Sequence, residues 1–203
     1  MRTAFCFMCG KTVPARDSGY EIGYPATRSL IREISHRGHE ICLSPSLGTF
    51  RDREGMVREV ARLRLVCSQE GVNQEEWRSR MRYLRRETPT TAHGLSAADM
   101  AYDSTLGFAE QPGLLCGTCY QYPMFDPVAG RVINLCAPLG CHVRVRYVEQ
   151  LFESRPSGWS FAGVQEDKRR LSSCRGGAFA LLLHNSEIVS GPQHDFFRPV
   201  LDA

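Results

Sequence analysis

The chain has 203 residues, 42% of them hydrophobic and 23% charged, enough to bury the core of one globular domain spanning 1–203. Its formal charge of +3 comes from 25 basic against 22 acidic side chains, a balance too even to imply nucleic acid as a partner. No apolar run reaches the roughly 18 residues of a membrane span and the N-terminus lacks a signal-peptide pattern, so the expected compartment is cytoplasmic.

The predicted elements alternate. Residues 2–8 are β-prone and mostly apolar, stopping at Gly10. Leu30, Ile31 and Ile34 form an apolar stripe after Pro25 and before Gly38, which predicts a helix over 26–37. A strand over 39–43 follows. Met56, Val60, Leu63 and Cys67 recur at helical spacing, predicting an amphipathic helix over 53–69 that ends near Gly71.

Residues 78–87 are strongly basic, 89–99 resemble a short helix, and 100–103 are a short strand candidate. A long loop is expected over 107–126. Strands are expected over 131–135 and 143–148, a glycine-rich link over 156–163, an apolar run over 177–184 and a helical stretch over 194–201. Short strands alternating with helices predict an α/β fold with a parallel sheet, open or closed into a barrel. Chemistry in such folds gathers at the carboxyl ends of strands, which directs attention to Ser44, Asp103, His142 and His184.

Four strings carry a family resemblance. Gly38-His39-Glu40-Ile41-Cys42-Leu43-Ser44-Pro45-Ser46 is similar to a Gly-His-Glu-Ile-Gly-Leu-His-Pro-Ser block, and Arg80-Met81-Arg82-Tyr83-Leu84-Arg85 to an Arg-x-His-Tyr-Leu-Arg block. Tyr102-Asp103-Ser104-Thr105-Leu106-Gly107-Phe108-Ala109, continuing to Gly113 and Gly117-Thr118-Cys119, forms the third. Gly176-Gly177-Ala178-Phe179 through Leu182, His184, Asn185 and Ser186 forms the fourth. In this order they resemble the polysaccharide deacetylases associated with bacterial exopolysaccharide genes.

The resemblance implies a distorted (β/α) barrel that binds a divalent metal, usually zinc, and hydrolyses N-acetyl groups on amino-sugar polymers. It also implies that the chain starts after the family's first, acidic strand, leaving an incomplete barrel with sheet edges open to self-association. Ser44 and Arg82 stand where the family has histidine ligands, so no intact metal site is expected and activity should be weak or absent. A hydroxyl is a poor divalent ligand and a guanidinium is none. One positive charge about 4 Å from a dication would cost about 8 kcal/mol at an effective dielectric near 20, twice the single-charge value.

By the same resemblance Arg80 would orient a carboxylate, Asp103 would be a site carboxylate and His184 a remnant general acid. Tyr83 and Arg85 would contact the N-acetylated polysaccharide or oligosaccharide. The residues themselves leave alternatives open. Asp103 also suits an N-cap or Asx turn with Ser104 and Thr105, and His184 a half-buried imidazole on a backbone carbonyl. The arginine run suits a solvated face or an anionic ligand, so a non-catalytic carbohydrate- or anion-binding domain is the second functional reading. His39, at the start of its strand, suits packing.

Nine cysteines, an odd number, argue against a complete disulfide framework. Cys6 with Cys9, and Cys116 with Cys119, form two C-x-x-C pairs, the pattern of a structural zinc site, but they lie more than 100 residues apart.

Overall fold

The computed structural model describes residues 3–107, 115–118, 120–137, 141–144 and 179–182. They belong to two units: residues 2–106 with 122–138, and residues 107–121 with 139–203. In the second unit two strands are described, β7 (Cys141–Arg144) and β8 (Phe179–Leu182), paired in parallel. The predicted strand over 143–148 overlaps β7, which begins earlier. The predicted 156–163 link, the 194–201 helix and His184 lie outside the described residues.

The first unit is a mixed α/β arrangement. Strands β1 (Ala4–Phe7), β2 (Glu40–Leu43), β3 (Arg78–Ser79), β4 (Tyr102–Asp103), β5 (Tyr122–Asp126) and β6 (Arg131–Ala137) form one sheet in the order β1-β2-β3-β4-β6-β5. Every pairing is parallel except the β5–β6 hairpin. Among the described residues β1 and β5 each have one strand partner, so the sheet runs from edge to edge.

Helices α1 (Pro25–His36), α2 (Arg53–Gln69) and α3 (Thr90–Ala97) connect the parallel strands. Pro25, whose fixed backbone suits the first turn, opens α1. Gly38 ends it at φ +79, a left-handed conformation that costs a glycine little, while the His39 N–H donates to the Ile34 carbonyl. Asp52 caps α2 by accepting from the Gly55 N–H at 2.8 Å. Gly71 (φ +71) follows its end, and the Val72 N–H donates back to the Cys67 carbonyl.

Alternation sorts the strand residues into two rows. Phe7, Ile41, Leu43, Ile133, Leu135 and Ala137 pack with Ile31 and Ile34 of α1, with Met56, Val60 and Leu63 of α2, and with Leu95 of α3, in one buried cluster. The opposite row crosses five strands in register, Cys6 beside Cys42, then Arg78, Tyr102 and Cys136. This second row is polar: Arg78 pairs with the buried Glu40 and lies 4.5 Å over the Tyr102 ring. At the other end of the sheet the Asp126 carboxylate takes His93 Nε2 at 2.6 Å, joining α3 to the β5–β6 hairpin.

Two elements differ from expectation. β3 is a two-residue strand inside the basic stretch, and the last five residues of the expected 107–126 loop are strand β5. Asp126 makes that hairpin by accepting from the Val128 and Ala129 N–H groups, with Gly130 at φ +64 closing the turn. No helix among the described residues is long and apolar enough to cross a membrane.

Candidate functional site

The parallel strands release consecutive residues along one rim of the sheet. The Ser44 N–H donates to the Phe7 carbonyl at 2.8 Å, Arg80 N–H to the Leu43 carbonyl at 2.9 Å, and Ser104 N–H to the Ser79 carbonyl at 2.8 Å. Ser44, Arg80 and Ser104 are thus the first residues past β2, β3 and β4, each held to the end of the strand before it. Ser44 and Arg80 are both half-buried.

Asp103 closes β4, beside Ser79 in the register. It is 3% exposed, and its Oδ1 accepts from the Ser79 hydroxyl at 3.0 Å and the Thr105 hydroxyl at 2.6 Å. Its row is that of Phe7 and Leu43, which faces the helices. Burial pushes its carboxyl up to about 6, against the lowering effect of the two hydroxyls and of the Arg80 and Arg86 charges. Asp103 therefore braces the ends of β3 and β4 from within. It makes neither a helix cap nor an Asx turn: its contacts are to side-chain hydroxyls.

Thr105 extends this bracing. Its Oγ accepts from the Met81 N–H at 2.9 Å, so the turn after Arg80 hangs on the residue that also binds Asp103. In that turn Tyr83 and Leu84 both adopt φ 55, a left-handed conformation that costs an L-residue roughly 1–2 kcal/mol. Tyr83 is exposed, with the Arg82 guanidinium 5.1 Å from its ring centroid. Arg85 is exposed and stacks 4.2 Å over the Phe50 ring, whose other cation neighbour is Arg51.

Arg82 turns toward β1, its Nη1 lying 3.0 Å from Met8 Sδ. Its Nε is buried without a hydrogen-bond partner among the described residues. Ser44 and Arg82 thus offer a hydroxyl and a guanidinium, and among the described residues no three His, Cys, Asp or Glu side chains group closely enough to hold a metal. These residues do not fit a divalent ion.

The loop after β2 is held by residues that sequence reasoning passed over. Glu59, on α2, accepts from both the N–H and the hydroxyl of Ser46, which is fully buried. Asp17 accepts from the N–H groups of Thr12, Val13 and Leu47 at 2.7–2.9 Å. Those hydrogen bonds hold its carboxyl below the ordinary aspartate value although burial opposes them. Met8, past the end of β1, donates its N–H to the Tyr20 hydroxyl at 2.9 Å. Gly10 is the sequence signal for Glu59: a Cβ there would sit 2.0 Å from Glu59 Oε1.

The remaining candidates fall elsewhere. His39 Nδ1 accepts from the Thr3 N–H at 3.4 Å and its ring meets Phe5, a packing role. Cys9 is buried, where burial foremost and then Glu59 push its thiol up, while Cys6 faces Cys42. Cys119 and His184 lie outside the described residues. Comparison with family models, curated proteins and solved structures gave no match.

Proposed function

We propose that the chain is a polysaccharide deacetylase-like domain with a degenerate metal centre, which binds N-acetylated polysaccharide without appreciable hydrolysis. The finer architecture, a distorted and incomplete (β/α) barrel, is part of this proposal. The observation that carries it is the rim of strand ends: Ser44 and Arg80 follow adjacent parallel strands, where α/β folds bind ligands, and the exposed Tyr83 and Arg85 lie in the turn that follows Arg80.

The chemistry of those groups suits recognition. A flat exposed ring such as Tyr83 offers a face to the apolar side of a pyranose. Guanidinium groups donate several hydrogen bonds in a fixed fork, to hydroxyls or to an acyl oxygen. Hydrolysis of an amide by the family's route needs a dication to polarise the carbonyl and activate water. A hydroxyl and a guanidinium at two ligand positions supply neither.

Purified protein is expected to hold no stoichiometric zinc by elemental analysis and to release no acetate from an N-acetylglucosamine oligomer, yet to bind that oligomer in calorimetry. Tyr83→Ala should weaken binding by about tenfold, the order of a lost stacking contact of about 1.4 kcal/mol. Acetate release with bound zinc would return the catalytic reading. Absence of binding to the oligomer would reject the carbohydrate reading altogether.

A further inference from the structure

Cys6 and Cys42 are Cα partners in the parallel pairing of β1 with β2, so both side chains leave the same face of the sheet. Paired residues of neighbouring strands sit about 4.8 Å apart, inside the roughly 4.4–6.8 Å that a disulfide spans. The two thiols are hydrogen-bonded to each other. They differ in access: Cys6 is exposed and Cys42 is 3% exposed.

We propose that Cys6 is a thiol–disulfide exchange site resolved by Cys42, through which a small-molecule disulfide of the glutathione class converts the pair into an intramolecular disulfide. The Cys6 thiolate attacks one sulfur of the small disulfide, forming a bond to that sulfur and releasing the other half as a thiolate. Cys42 then gives its proton to solvent and attacks the Cys6 sulfur, and the second small thiolate leaves and is protonated. Two protein thiols are oxidised and one small disulfide is reduced to two thiols.

The surroundings favour that order of events. The hydrogen bond from Cys42, with help from the Arg80 charge, holds the Cys6 thiol below its ordinary value, although crowding by the sheet face and the Asp103 charge oppose this. Access assigns the same roles, since Cys6 is the exposed residue of the pair and Cys42 the buried one. The product bond would tie β1 to β2 two residues before Met8 and Ser44, the first residues past their carboxyl ends. Redox state would then set how firmly the edge strand holds its part of the rim.

The test is incubation of the native protein with oxidised glutathione, followed by digestion without reduction and peptide mass mapping. Wild type is expected to yield a Cys6–Cys42 linked peptide, and Cys42→Ser to stop with one glutathionyl group on Cys6. Cys6→Ser should leave Cys42 unmodified. The oxidised wild type should melt about 5 °C higher, reversibly with dithiothreitol. Cys42→Ala serves as a second trapping variant if the serine variant loses its circular dichroism spectrum. A glutathionyl group that persists on wild-type Cys6, an unmodified Cys6, or crosslinks through other cysteines would overturn the proposal.

Discussion

Asp103→Asn should remove a pH dependence of stability worth about 3 kcal/mol between pH 4 and pH 7. In the folded protein the carboxyl is held up at about 6, against 3.8 for an ordinary aspartate. The folded state therefore binds the proton more tightly than the unfolded chain. The contribution of this group is fully present below pH 3.8 and is lost as pH rises through about 6. One pKa step corresponds to about 1.4 kcal/mol, and the group is buried, so solvent screening takes little from the total.

Asparagine keeps the oxygen that accepts from Ser79 and Thr105 but cannot ionise. Its stability curve, from urea unfolding at several pH values, should stay level where the wild-type curve falls. The gap between the two should widen by about 3 kcal/mol across the window in favour of the variant. Parallel curves would show that Asp103 is not held in the protonated form by its burial. The same comparison bears on function, because a carboxyl that titrates near 6 changes the charge beside Arg80 within the neutral range.

How much of this was legible beforehand depended on whether the cause was local. The predicted 53–69 helix matches α2 end for end, because its apolar spacing and the Gly71 just past its end are local signals. Gly38 marked the end of α1 for the same reason. β3 left no such trace: two residues cannot show alternation, and Arg78 and Ser79 are a strand only because Leu43 and Asp103 flank them in register. β5 was hidden by Pro123, which demotes a strand, although the Asp126-Pro127-Val128-Ala129-Gly130 turn signal stood beside it. Whether the sheet stays open or closes is set by tilt and stagger between strands, which no alternation encodes.

The candidate site divides the same way. Asp103 was visible as an acid ending an apolar segment. Its partner Ser79, 24 positions earlier, became visible only through the register. Ser44 and Arg82 drew attention through a resemblance, whereas Tyr83 stands out in the structure for its backbone conformation, which no residue type announces. The charged supports were hardest to see. Glu59 lies on a helix whose other acid, Glu54, and whose Arg53, Arg58 and Arg62 are exposed, and only the need of the Ser46 N–H for a buried acceptor separates it from them.

That need makes Glu59 the second position of large expected effect. Glu59→Ala should lower stability by about 3 kcal/mol, since it strands the Ser46 N–H and hydroxyl in a site where both are fully buried and opens space beside Gly10. Glu59→Gln should cost no more than about 1 kcal/mol. Its amide oxygen accepts from the Ser46 N–H, and its NH₂ donates to the hydroxyl oxygen.

Burial pushes the Glu59 carboxyl up, against the two Ser46 hydrogen bonds, so ionising it in place is unfavourable. The glutamine variant should therefore gain on wild type as pH rises past the ordinary glutamate range, and denaturant titrations at low and neutral pH would show it. A large loss in Glu59→Gln at every pH would mean that the negative charge itself holds Ser46. An alanine variant as stable as wild type would mean that water replaces the carboxylate. In that second case the loop that carries Ser44 would owe its position to Asp17, whose carboxylate takes the Leu47 N–H.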